Sequence, residues 1–209
     1  MSSALTCGRC HLRQDLCLCE QAPPLTGDCA ELSLILLTHS LEIEKHTNTG
    51  RLLEACLPEC HLWLWQRTEF ERQWAEFTRS SSRLPVLLFP ESNSSSAINP
   101  ITSNMSQSLP ALEQTTFILI DATWQQARKM LRQSPSLSDC QRLPLQSSSP
   151  SRYHLRKHQQ PGNLSTVETG CELLKLMGLE QDAQLIEGYF GRFLQHSEAN
   201  RSGYCLKDN

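Results

Sequence analysis

Four short apolar runs, each closed by a polar residue or a proline, constrain this chain more than anything else in it. They are Leu32 to Thr38 (LSLILLT), His61 to Trp65 (HLWLW), Pro85 to Pro90 (PVLLFP) and Thr116 to Ile120 (TFILI). Leu32 to Thr38 and Thr116 to Ile120 are apolar at nearly every position, rather than at alternate ones, and read as strands buried on both faces, as in a parallel sheet between helices; the other two are shorter strand candidates. Helical patterns lie between and after these runs. Arg51 to Leu57 is stopped by Pro58, and Thr68 to Thr78 spaces Phe70, Trp74 and Phe77 by four and three. Thr123 with Gln126 three residues later is a capping box that opens a helix to about Arg132. Ser165 with Glu168 is a second box, opening a helix through Val167, Cys171, Leu174 and Met177 that ends at Gly178. A last helix is expected over about Gln181 to His196. Strands alternating with helices make an α/β protein with a parallel sheet. Ligands bind such sheets at the carboxyl ends of strands, here Thr38-His39, Phe89-Pro90 and Asp121.

With 209 residues the chain suffices for one sizeable α/β domain and a small appendage, not for two catalytic domains. The Ser/Asn-rich stretch Glu91 to Pro110 reads as a long loop, and Ser134 to Arg152 as a connection with a short strand at Arg142 to Leu145. Pro23-Pro24 marks a break, so residues 1–24 are expected as a motif of their own and 25–209 as the main domain. That first stretch holds four of the ten cysteines, Cys7, Cys10, Cys17 and Cys19. A CxxC pair aims two sulfurs at one ion, and four thiolates satisfy tetrahedral zinc at about 2.3 Å, so a structural zinc is expected. The opening residues lack the basic and apolar segments of a signal peptide, and no apolar run nears the ~18 residues of a membrane span. A cytoplasmic protein without a membrane partner is expected.

Charge is unevenly spread. From Ala122 to Val167, seven cations (Arg128, Lys129, Arg132, Arg142, Arg152, Arg156, Lys157) face one acid, Asp139; this net +6 leaves −9 for the rest of a chain whose total is −3. Such asymmetry suits a local polyanion-binding face. Trp124, Arg128 and Arg132 recur every fourth residue and share a helix face, offering an aromatic platform with two cations for a base and its phosphates. A tryptophan packed into the core is the competing reading of Trp124.

In order along the chain stand the cysteine group, Thr47-Asn48-Thr49-Gly50-Arg51-Leu52, Leu87-Leu88-Phe89-Pro90, Asp121-Ala-Thr-Trp124, Tyr153-His154-Leu155-Arg156 and Leu164-Ser165-Thr166-Val167-Glu168. Together they resemble the DTW-domain family, whose motif is Asp-x-Thr-Trp at a strand-to-helix turn. The resemblance implies a SPOUT-like α/β sheet with a C-terminal knot and a tRNA-uridine aminocarboxypropyltransferase of the bacterial type. Such an enzyme uses S-adenosylmethionine (SAM) to place a 3-amino-3-carboxypropyl group on N3 of a variable-loop uridine, expected at position 47, releasing 5′-methylthioadenosine. The partner is tRNA, with no DNA partner expected. The implied SAM site is formed by Leu88, Phe89 and Pro90, by Leu119 and Ile120, by Leu155 and Arg156, and by Leu164, Ser165 and Thr166. The start of the helix at Ser165 to Val167 is expected to present free N–H groups to a carboxylate. Substrate contacts are expected from Trp124, Arg128, Lys129, Arg132, Lys45 and Arg51. Asp121, at a strand end, is the candidate general base for the N3 proton, against the alternative of a bracing carboxylate. His39, His46, His154 and His158 are expected at the surface or facing RNA, without a base role. Two other readings compete: a SPOUT-type RNA methyltransferase, and a non-catalytic zinc-ribbon RNA-binding adaptor.

Overall fold

The fold is seen in a computed structural model that describes residues 5–89, 111–145, 150–155 and 164–203. Five strands, β1 (Ser33–His39), β2 (Cys60–Trp65), β3 (Leu84–Leu88), β4 (Thr115–Asp121) and β5 (Gln141–Leu143), form one sheet in the order β2-β1-β4-β3-β5. Every neighbouring pair is parallel. The helices are α1 (Gly50–Cys56), α2 (Arg67–Ser80), α3 (Trp124–Gln133), α4 (Pro135–Ser138), α5 (Thr166–Leu176) and α6 (Glu180–Ser202). The α/β class and the parallel sheet are as the apolar runs require.

Two compact units divide the chain. The sheet unit is Gly27–Ile43 with Glu59–Gln146, and so contains all five strands and α2 to α4. The helical unit is Met1–Thr26, Glu44–Pro58 and Ser147–Asn209, with α1, α5 and α6. The cysteine segment, expected as a motif by itself, belongs to this second unit.

Within the sheet unit, side chains alternate between faces along each strand. Ile35, Leu37, Leu87, Ile118 and Ile120 pack with Phe70 and Trp74 of α2, Ala127, Met130 and Leu131 of α3, and Leu137 of α4. The opposite face carries Leu34, Leu36 and Thr38, Val86 and Leu88, and Phe117, Leu119 and Asp121, all buried. This places the one carboxylate of β4 among apolar neighbours. The edge of α4 is fixed by Ser134, whose hydroxyl accepts from the Trp65 indole at 2.9 Å. That short helix lies where an irregular connection was expected.

In the helical unit α5 ends at Leu176, and Gly178 just beyond takes φ +81 so that Leu179 N–H can reach the Leu174 carbonyl at 2.8 Å. The chain then turns into α6, which continues to Ser202, six residues beyond the sequence expectation at His196. Gly170 permits α1 and α5 to touch: a Cβ there would meet the Leu53 side chain at 2.6 Å. β3 ends at Leu88 and β5 begins one residue earlier than expected. Pro90, the Glu91 to Pro110 stretch, Arg156, Lys157 and His158 lie outside the described residues.

Candidate functional site

Asp121 is the last residue of β4 and pairs in register with Thr38 of β1. Their relative exposures are 1% and 0%, and the Thr38 hydroxyl donates to Asp121 Oδ2 at 3.3 Å. Leu88 and Leu119 are partners one step back on the same face. These three positions of the expected site therefore converge. Phe89 and Ile120 do not join them through their side chains, since both pack with the core against α2 and α3.

Two residues after Asp121 the chain enters α3. Thr123 caps it: the Gln126 N–H reaches the Thr123 hydroxyl at 3.4 Å, and the Gln126 amide oxygen accepts the Thr123 N–H at 2.7 Å. Trp124 is half-buried with its ring edge-on to Phe89, centroids 5.8 Å apart at 62°. It is neither a core residue nor a free platform. Arg128, Lys129 and Arg132 are exposed on the same helix. His39 corrects its expectation: it is only 8% exposed, stacks on Trp65 at 5.7 Å, and accepts the Leu41 N–H on Nδ1 at 3.2 Å. The in-register β2 partner Trp65 draws the imidazole inward.

In the helical unit, one carboxylate organises the residues around the start of α5. Glu168 accepts from Ser151 Oγ (2.7 Å), Arg152 N–H (2.6 Å), Ser165 N–H (2.8 Å) and Ser165 Oγ (2.7 Å). Thr49 Oγ1 accepts the Val167 N–H at 3.3 Å. The expected free N–H groups at Ser165 and Val167 are thus already engaged, because neighbouring side chains cap this helix. Tyr153 donates its hydroxyl to the Thr47 carbonyl at 2.6 Å, with its ring 6.3 Å from that of Phe190. Leu155, Leu164 and Thr166 are half-buried beside this network, and Ser165 is buried. A cleft in the same unit is lined by Leu164, Arg152, Glu168, Glu172, Lys175 and Glu187 among others. Lys175 is held by Glu187 at 2.6 Å and Glu172 at 3.1 Å, and these bonds, Glu187 first, keep its ammonium protonated above the ordinary lysine range.

Of the other cations expected on substrate, Lys45 is exposed, whereas Arg51 spends a guanidinium N–H on the Arg9 carbonyl at 2.6 Å. Arg51 thereby braces the cysteine loop. His154 is exposed as expected, bonded to Glu198 at 2.6 Å.

The sulfurs of Cys7, Cys10, Cys17 and Cys19 all lie within 4.8 Å of one another, with Cys7–Cys19 and Cys10–Cys17 each at 3.8 Å. The edge of a tetrahedron with Zn–S bonds of about 2.3 Å is ~3.8 Å, so the donor set fits zinc. Backbone N–H groups of Cys10, then Arg9, lower the Cys7 thiol to about 6 against its burial. His11 adopts φ +58 in the turn after Cys10, closed by its N–H to the Cys7 carbonyl at 3.0 Å. Among the described residues the other cysteines are buried core thiols. Burial pushes Cys56 and Cys140 up to about 12 and raises Cys171 as well.

Thr38, Thr49 and Glu168 matter more than sequence reasoning recognised. Thr38 was visible only as a strand end, Thr49 only within a motif, and Glu168 only as half of a capping box.

The chain combines a parallel α/β sheet, carrying a buried carboxylate at a strand end, with a cluster of four cysteines whose sulfurs could hold a metal ion. The DTW-domain profile matches residues 4–198, and the chain belongs to that family. It is 29% identical over 187 residues to tRNA-uridine aminocarboxypropyltransferase 2 of Macaca fascicularis, covering 87% of this chain and 58% of that protein. The same-named proteins of Mus musculus and Drosophila melanogaster are 30% and 25% identical, over 82% of this chain and 56% and 66% of their own lengths. The chain thus spans a little over half to two thirds of these relatives. No solved structure matches it.

Proposed function

We propose that the chain transfers a 3-amino-3-carboxypropyl group from SAM to N3 of a tRNA uridine. The family membership, together with relatives named for that activity, supports the reading. The observation that carries the chemistry is Asp121, a carboxylate buried at the carboxyl end of a central strand and oriented by a hydroxyl.

In the proposed reaction Asp121 accepts the N3 proton while N3 forms a bond to the methylene next to the sulfonium. The carbon–sulfur bond breaks, its electrons return to sulfur, and neutral 5′-methylthioadenosine leaves. Uridine N3 holds its proton at neutral pH, so a positioned base is worth about 10²–10⁴-fold. Leu88 and Leu119 supply an apolar wall on the carboxylate's face. Leu155, Leu164, Ser165 and Thr166 belong to the proposed SAM site in the helical unit, and Phe89 and Ile120 contribute backbone only. Pro90 and Arg156 complete the proposed set. Arg128, Lys129, Arg132, Lys45 and Arg51 belong to the proposed tRNA contacts, with Trp124 offered to a base. A variable-loop target at position 47, the knotted SPOUT connection, a bacterial-type enzyme and a cytoplasmic location extend the same reading. Cys7, Cys10, Cys17 and Cys19 would hold a zinc that braces the N-terminal loop and takes no part in the chemistry.

Incubating the protein with SAM and tRNA tests this. The expected products are an aminocarboxypropyl-uridine and 5′-methylthioadenosine; S-adenosylhomocysteine would mean methyl transfer, and tRNA binding without SAM affinity a non-catalytic adaptor. Asp121→Asn keeps the shape and should lower turnover by about 10²–10⁴-fold while SAM and tRNA still bind. Near-normal turnover at neutral pH would leave Asp121 a bracing residue.

A further inference from the structure

The two buried polar side chains Thr38 and Asp121 are in-register partners at the last step of the β1–β4 pairing. Thr38 ends a run of four aliphatic residues, Leu34 to Leu37, in a strand where a valine would occupy the same volume. Its hydroxyl is completely buried and carries one proton. Two acceptors compete for that proton, Asp121 Oδ2 at 3.3 Å and the Leu36 carbonyl at 3.5 Å. The carboxylate oxygen is the nearer of the two. A β-branched side chain is stiff at χ1, which fixes the direction from which the proton arrives.

We propose that Thr38 is a positioning residue for Asp121, orienting the carboxylate for proton abstraction from the uridine; this rests on the functional reading above. The bond from Thr38 anchors one oxygen of the buried carboxylate. It also fixes the plane of the group, so that the basic lone pairs point in one direction. Thr38 touches no reacting atom. Its effect passes through Asp121 and should vanish when Asp121 can no longer act as a base.

The test compares wild type, Thr38→Val, Thr38→Ser, Asp121→Asn and the Thr38→Val/Asp121→Asn double variant of the whole chain. Aminocarboxypropyl transfer from SAM to tRNA is followed, with urea unfolding measured on the same proteins. Thr38→Val should lose about 10- to 100-fold in turnover, the scale of one bond to a charged group, with apparent KM values for SAM and tRNA within about twofold. Thr38→Ser should recover most of the loss. In the Asp121→Asn background Thr38→Val should cost no further turnover, and the two substitutions should be non-additive in urea unfolding. Full turnover in Thr38→Val, equal losses with and without Asp121, or strict additivity in unfolding would overturn the proposal. A wild type that transfers nothing overturns the functional reading and this proposal with it. A wild type that transfers, beside a Thr38→Val that does so equally well, overturns this proposal alone.

Discussion

Glu168 shows how much one side chain can organise. Four donors from three residues converge on its two oxygens, two of them backbone N–H groups that would otherwise face a helix start or a loop without partners. Bonds to a charged acceptor are stronger than neutral ones, so Glu168→Ala should lower unfolding stability by about 2–4 kcal/mol in urea titration. Loss near zero would mean that water replaces the carboxylate freely. His154 gives a pH-dependent counterpart. The Arg152 carbonyl first, then Glu198, raise its pKa above the ordinary value near 6.5. The folded chain therefore binds this proton more tightly than the unfolded chain. Its contribution is fully present below the unfolded pKa and is lost as pH rises through the raised folded value. Both partners are about half exposed, so the gain is small and screened by salt. An NMR titration should find the His154 midpoint above 6.5 and see it fall in Glu198→Gln.

Among the elements, α3 joins the strand-end carboxylate to the exposed cations. Replacing Arg128 and Arg132 together should weaken tRNA binding and reduce the slope of log affinity against log salt by about two, with SAM affinity unchanged. An unaltered slope would place the RNA elsewhere. Elements of this kind were legible because their signals are local. Thr123 and Gln126 are three residues apart, and the apolar run of β4 needs no partner to be recognised. What escaped depends on distant residues. His39 looked like a surface residue until Trp65, twenty-six positions on, became its in-register neighbour. The bond from Arg51 to the Arg9 carbonyl, forty-two positions back, has no local signal either. Glu168 announced its bond to Ser165 but not those to Ser151 and Arg152, which no periodicity encodes. Alternation between sheet faces likewise divided the expected SAM residues into Leu88 and Leu119 on one side and Phe89 and Ile120 on the other.

For the molecule as a whole, the thiolate cluster should account for about one zinc per chain by elemental analysis. Cys17→Ala with Cys19→Ala should abolish it; zinc retained in that variant would refute the ligand set. The segment that carries the cluster is fastened along the last helix. Tyr189 donates to the Leu18 carbonyl at 2.9 Å, Arg192 to that of Gln21 at 3.3 Å, and the Arg13 N–H reaches Asn200 at 2.9 Å. His196 Nδ1 lies 3.0 Å from the Leu16 carbonyl. A segment early in the sequence is therefore secured by a helix translated much later. Throughout synthesis the four thiols lack this support, open to oxidants and stray metal ions until α6 emerges. The sheet waits in a similar way, because β4, flanked by β1 and β3, is the fourth strand to be translated. A nascent chain halted before residue 115 has the two outer partners of its central strand and nothing to lay between them.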